Sequence, residues 1–285
     1  MGALLALASA LSYGLSDVIG GVVARRMRAV HVALLGQLGG LVAVAIAAPL
    51  LTPARPDIPD LAWGGLSGLG TGLAMAFLFR GMSRGAMSVV VPISAVGGIA
   101  LPVLVGVALL GDRPAWLTWT GVGLALPGLW LVSRHASTAT TDPTRGSVGD
   151  GLVAGAGIAL QYLALARCSP DAGLWPVLAG RLTAVLIVGV LAVTMMRQTS
   201  ADPDGHKRTR SVLAAAGSGV LAAVALTAYA LAAQSEFVTV AVVLSSLYPV
   251  VPALVGIAFL GERLSRRQVL GLAVALTGAV LIAVF

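Results

Sequence analysis

Two charged residues stand where charge is costly. Asp17 interrupts the apolar stretch SALSYGLSDVIGG, and Arg181 interrupts DAGLWPVLAGRLTAV. Inside a bilayer a carboxylate persists only if it is paired, protonated or wetted. Tyr13, Ser16, Asp17 and Gly20 recur at i, i+3, i+4 and i+7, so a helix sets all four on one face. That face suits the wall of a polar cavity better than contact with lipid. Asp17 is read as a site for a substrate ammonium group or as a proton-coupling carboxylate. The plainer alternatives are a structural partner for an arginine and a wetted acid near the surface. Arg181 sits about ten residues into its apolar run, or roughly 15 Å along a helix axis. Its guanidinium matches a carboxylate through two parallel N–H donors, which makes it a candidate clamp on an acidic substrate group. A structural ion pair with Asp17, or bonds to helix-end carbonyls, would explain it equally well. The two could also form an internal salt bridge that a substrate exchanges for its own charges.

A second set of candidates surrounds prolines. The stretch LSSLYPVVP (244–252) places Ser245, Ser246 and Tyr248 around Pro249 and Pro252. The corresponding stretch of the first half holds Pro92, Ser94, Gly97, Gly98 and Pro102. Proline frees backbone carbonyls that must find partners in mid-membrane. Two interrupted helices at matching places are therefore read as helix breaks beside a binding site, with plain kinks as the alternative. Gln161, Tyr162, Thr227, Tyr229 and Thr71 are weaker candidates, because polar residues in membrane helices often only bond to neighbouring helices. Gln37 is read as structural.

The elements that must hold these groups follow from composition. Of 285 residues, 58% are hydrophobic and 10% charged, against about 25% charged in soluble domains. That excludes a cytosolic enzyme. The 36 glycines fit helices that approach closely in lipid. One cysteine, Cys168, excludes a disulfide framework and a thiolate metal cluster, and the three histidines are scattered. No metal or cofactor is expected. The net charge of +7 comes from arginines lying between apolar runs, with no continuous basic face, so nucleic acid is rejected as a partner. The opening MGALLALASA resembles a signal peptide at Ala8-Ser9-Ala10 but lacks a basic start, and reads as the first membrane helix.

Apolar runs fall near 3–24, 30–51, 61–80, 86–110 and 115–133, and again near 151–167, 172–195, 211–233, 237–260 and 268–285. Each is long enough to span a bilayer as a helix. The halves repeat. LPVLVGVALLGDR (101–113) matches VPALVGIAFLGER (251–263) at eight of 13 positions, and GVGLALPGLWLV (121–132) matches GLAVALTGAVLI (271–282) at five of 12. This gives a first five-helix repeat over 1–133, a polar linker over 134–150 and a second repeat over 151–285. Five is odd, so the halves must enter the membrane in opposite senses. Loop charge agrees independently: the odd-numbered loops carry fourteen Lys or Arg and the even-numbered loops three. By the positive-inside rule the odd loops face the cytoplasm, which leaves both termini outside. The predicted fold is an all-α membrane protein, with ten transmembrane helices as two inverted repeats around a central cavity.

The paired GDR and GER turns after proline-containing helices, on two five-helix halves, resemble EamA-type members of the drug/metabolite transporter superfamily. The resemblance covers nearly the whole chain. It implies a ten-helix basket with helices one, three, four, six, eight and nine around the cavity, and helices five and ten at the periphery. It also implies export or exchange of small metabolites, and termini in the cytoplasm, opposite to the sense of the loop charges.

Function is read accordingly as secondary transport or exchange of a small polar metabolite by alternating access. One acid and one base in the membrane point to a zwitterion such as an amino acid, with Arg181 meeting the carboxylate and Asp17 the ammonium. Protons are a candidate coupling ion through Asp17. The rival within transport is proton-coupled export of cationic drugs or amines by Asp17 alone. An enzyme acting on lipid-linked substrates would need paired carboxylates, a His cluster or a metal motif, and the sequence shows none. The Gly36-x-x-x-Gly40, Gly64-x-x-x-Gly68 and Gly68-x-x-x-Gly72 repeats are read as intramolecular packing, leaving a monomer or a weak dimer. Trp63, Trp116, Trp119, Trp130 and Trp175 are read as interfacial anchors. The expected location is the cell membrane, as a multi-pass protein of the bacterial inner or plasma membrane.

Overall fold

The computed structural model describes residues 1–24, 27–51, 56–84, 87–133, 145–196, 208–248, 250–251, 255 and 266–284. In chain order the helices are α1 (Gly2–Ala24), α2 (Ala29–Leu51), α3 (Ile58–Arg84), α4 (Met87–Leu109), α5 (Trp116–Ser133), α6 (Arg145–Leu165), α7 (Trp175–Met196), α8 (Arg208–Ser235), α9 (Val238–Ser245) and α10 (Arg266–Val284). A short 3-10 turn, Pro170–Ala172, precedes α7. Among the described residues there is no strand. Six helices among the described residues, α1, α2, α3, α6, α7 and α8, are long and apolar enough to cross a membrane, and Ile93–Leu109 and Val269–Gly278 are shorter apolar segments. An apolar chain in lipid has no water to satisfy its peptide groups, so each span closes its hydrogen bonds within a helix.

Packing follows side-chain size. Leu4, Leu11, Leu104, Leu186 and Val190 lie exposed on the outside of the bundle, whereas Ala6, Ala10, Ala48, Ala125, Ala154 and Ala225 are buried. Small residues inside let backbones meet, which replaces the hydrophobic drive that lipid cannot supply. A methyl group at Gly68 would run into the backbone of Gly180, and one at Gly219 into the backbone of Gly36. The glycine repeats of α2 and α3 thus serve contacts within the chain.

The pattern of contacts is the same in both halves. Helix α3 packs on α6 and α7, and α8 packs correspondingly on α1 and α2. Helix α4 lies against α6 and α5, and α9 against α1 and α10. Directions follow from the residues that meet. Helices α1 and α8 run antiparallel, with Gly2 beside Ser235 and Ser16 beside Ser218. Helices α3 and α6 also run antiparallel, with Asp60 at Ser169 and Ala74 at Gly157. Helices α3 and α7 run parallel, through Gly64 with Pro176 and Gly68 with Gly180, and so do α2 and α8, through Gly36 with Ala215 and Gly40 with Gly219.

Two sequence expectations need correction, and a third falls partly outside the described residues. Helix α6 starts at Arg145, so the end of the polar 134–150 stretch is helical. Helix α4 runs unbroken from Met87 to Leu109 through Pro92 and Pro102, where breaks were expected. Proline removes one N–H, and a packed bundle can absorb that loss without ending the helix; Pro102 is fully buried in it. Helix α9 does stop at Ser245 and turns through 246–248, while Pro249, Pro252 and the GER turn lie outside the described residues.

Candidate substrate pocket

Arg181, on α7, points into the bundle and is 3% exposed. One terminal nitrogen, Nη1, donates to Gln37 Oε1 of α2 at 2.8 Å. Its Nε and the other terminal nitrogen, Nη2, are buried without a hydrogen-bond partner among the described residues. The guanidinium lies against α2 where Gly40 leaves room: a Cβ there would sit 3.3 Å from Arg181 Cζ and Nε. Beside it lies a cavity of about 10 Å³, walled by Arg181, Gln37, Ser67, Thr71 and apolar residues that include Leu165 and Leu226. That is room for roughly one water-sized group. A whole amino acid does not fit this conformation.

A hydrogen-bonded chain leads away from the cavity. Thr71 Oγ1 on α3 donates to Gln161 Oε1 on α6 at 2.5 Å. Gln161 Nε2 then donates to the Tyr13 hydroxyl on α1 at 3.0 Å. The Tyr13 ring meets that of Tyr248, with centroids 6.0 Å apart. Tyr13 lies within electrostatic range of both Arg181 and Asp17.

Asp17 is one helical turn beyond Tyr13 and is exposed. Its position on the helix says exposed to what. Leu4, Leu11, Leu15 and Val22 are exposed along one stripe of α1, the outer face. At about 100° per residue, Asp17 lies roughly 140° from the centre of that stripe. It belongs to the inward face with Ala6, Ala10 and Ser16, all buried. An exposed residue on an inward face looks into a crevice. Gly20 and Gly21, at the same end of α1, agree: a Cβ built on either meets nothing within 4 Å. Asp17 and Arg181 form no ion pair with each other, so the internal salt bridge considered from the sequence is not present.

The other sequence candidates divide. Ser16 donates to the Ser218 carbonyl at 2.8 Å, and Ser245 to the Ala6 carbonyl at 3.3 Å, so both tie α1 to its neighbours. The Tyr162 and Tyr229 rings pack in the core with centroids 4.5 Å apart and planes tilted by 56°, and the Tyr229 hydroxyl donates to the Tyr162 carbonyl. Both are buried away from the cavity, as expected of large rings whose hydroxyls find partners indoors. Ser246 is buried beside Tyr162, and Ser94 is buried in α4. Sequence reasoning undervalued Gln37, Ser67 and Thr71. The signal for Gln37 was a lone amide between Gly36 and Gly40, where the α2 backbone comes close to its neighbours.

The opposite end of the bundle, which carries the even-numbered loops, is tied shut. Asp60 accepts from the Ser169 N–H at 2.8 Å and its hydroxyl at 2.6 Å. Asp112, the acid of the GDR turn, accepts from the Thr239 N–H at 2.9 Å and its hydroxyl at 2.8 Å. A carboxylate there offsets the positive end of α9, whose own leading residue, Phe237, offers no capping side chain. Arg167 lies over the Trp63 ring at 5.9 Å. Trp116 and Trp119 are exposed at the start of α5.

Spanning helices, small-residue crossings and a buried guanidinium beside a pocket define a polytopic membrane protein with an interior polar site. The chain belongs to the EamA-like transporter family, whose model matches residues 1–134 and again 149–284. It is accordingly a multi-pass membrane protein of a drug/metabolite transporter family. A solved crystal structure, described only as that of a protein, is similar over 98% of this chain and 94% of that one, with a TM-score of 0.75 and 18% identity. At that identity the likeness concerns the fold alone. No curated protein matches the chain.

Proposed function

We propose that this protein is a secondary transporter or exchanger of a small zwitterion, such as an amino acid, working by alternating access between two inverted five-helix repeats. The observation that carries this reading is Arg181. A permanent cation held in the bundle with two unpartnered N–H donors beside a cavity is costly unless an acceptor comes to it. A carboxylate supplies two acceptors in the right plane. Asp17, in the crevice on the other side of Tyr13, supplies the counter-charge for an ammonium group and a site for a coupling proton. The repeat symmetry is supported by the matched contacts and by helix direction: α2 also runs antiparallel to α7, with Leu34 at Gly189 and Gly40 at Arg181, which together with the other helix pairings sets α1 opposite to α6. The small cavity supports a conformation without room for substrate at Arg181, sealed at the even-loop end and open near Asp17. Loop charge supports a cytoplasmic position for the open end, in a bacterial inner or plasma membrane on this reading. The glycine faces are used within the chain, which supports a monomer.

One observation favours a second reading. Asp17 is accessible and not paired with Arg181, so it could take a cationic amine alone. A stabilisation screen of the purified protein across amino acids, amines and sugars separates the two, because a ligand that binds the folded state raises Tm by mass action. Amino acids should stabilise the native protein and lose that effect in Arg181→Gln. Stabilisation by amines alone, unchanged in Arg181→Gln, would leave the cation reading.

A further inference from the structure

The two charges do not share one open chamber. Asp17 is exposed on the inward face of α1, whereas Arg181 faces a small, mostly enclosed cavity of about 10 Å³ whose lining does not include Asp17. Tyr13 stands between them: its hydroxyl is held by Gln161, Gln161 is held by Thr71, and Thr71 is part of the cavity wall. Its ring lies against Tyr248. Gln161 is buried, so this amide has no bulk water to turn to, and its two bonds fix both faces of the partition.

We propose that Tyr13 is a movable partition between two subsites, an open one at Asp17 for a cationic group and a closed one at Arg181 for a carboxylate, and that Gln161 and Thr71 are its positioning residues. A carboxylate reaches Arg181 only when Tyr13 leaves Gln161. An amine without a carboxylate occupies the Asp17 crevice and leaves the partition closed. Opening therefore requires the substrate's acidic group, which ties the conformational step to substrate class. The subsite chemistry rests on the function proposed above, but the partition itself can be tested without a substrate.

The test is modification of Arg181 by phenylglyoxal in the purified full-length protein, read at the Arg181-containing peptide by mass spectrometry. Arg181 in the native protein should react slowly. Tyr13→Phe removes the acceptor for Gln161, and one hydrogen bond of ordinary strength shifts the opening equilibrium about fivefold, so labelling should quicken by about that factor. Tyr13→Ala also removes the ring and should quicken it further. Thr71→Val loosens Gln161 and should act in the same direction. A purely structural role for these residues would alter Tm without selectively exposing Arg181, so labelling of exposed Arg80 in the same sample serves as the internal reference. Equal Arg181 labelling in the native protein and in all three variants would overturn the partition. Adding acetate then tests the subsite: protection of Arg181 in Tyr13→Phe is expected. Faster labelling without protection by acetate would keep the partition and reject the carboxylate reading.

Discussion

The Arg181 guanidinium reaches from α7 to the Gln37 side chain of α2, at 2.8 Å, as its one hydrogen bond among the described residues. Gln37→Leu would strand the cation completely. Loss of a charge-assisted bond in the interior costs about 1.5–3 kcal/mol. Tm should fall in Gln37→Leu and recover in the double variant with Arg181→Met, since removing both partners avoids a stranded charge. Thermal unfolding in detergent checks this. A double variant less stable than Gln37→Leu would show that the guanidinium stabilises the fold through contacts other than Gln37.

Asp112 fastens the GDR turn to the start of α9 through two bonds to Thr239. Asp112→Ala should cost about 2 kcal/mol, and Asp112→Asn less, because both Thr239 donors go to one oxygen, Oδ2, which the amide oxygen can replace with loss of the charge alone. For a chain of this size that corresponds to roughly 4–8 °C in Tm for the alanine variant. The ordering alanine below asparagine below native, in a melting series, is the diagnostic result.

Glycine has opposite meanings at two places. Gly68 touches the Gly180 backbone, whereas Gly20 faces open space. Gly68→Ala forces α3 and α7 apart and should destabilise by about 1–3 kcal/mol. Gly20→Ala should be neutral, or stabilising by up to about 1 kcal/mol through helix propensity. Comparable losses in both would contradict the crevice at the end of α1.

Cys168, in the link before α7, is the sole thiol. Burial, with the Asp60 carboxylate beside it, pushes its pKa up to about 12. Only the thiolate attacks maleimide, so at pH 8 about one molecule in ten thousand is reactive at this site. The native protein should stay unlabelled, and Asp17→Cys should label quickly against that silent background. Labelling of Asp17→Cys from lipid-soluble reagents alone would turn this face toward acyl chains.

Much of the architecture was legible because lipid makes polar residues conspicuous. Asp17 and Arg181 stood out against apolar neighbours, and glycine spacing announced the close crossings. Their partners were not legible. An amide such as Gln37 looks the same in sequence whether it braces two helices or holds a buried cation. The tilted packing of Tyr162 against Tyr229 places both rings in the core outside the lining of the Arg181 cavity, and only tertiary packing decides that. Pro102 signalled a break that the surrounding bundle absorbed. The Asp112 cap joins residues 127 apart in sequence, a relation that no local pattern carries.

Counterflow in proteoliposomes bears most directly on the proposed transport that uses Asp17 and Arg181. Vesicles loaded with unlabelled amino acid and diluted into a labelled trace should accumulate label transiently with the native protein. Arg181→Gln should abolish that accumulation, and Asp17→Asn should reduce it strongly. Accumulation at the native rate in Arg181→Gln would contradict a role for the buried guanidinium in binding substrate.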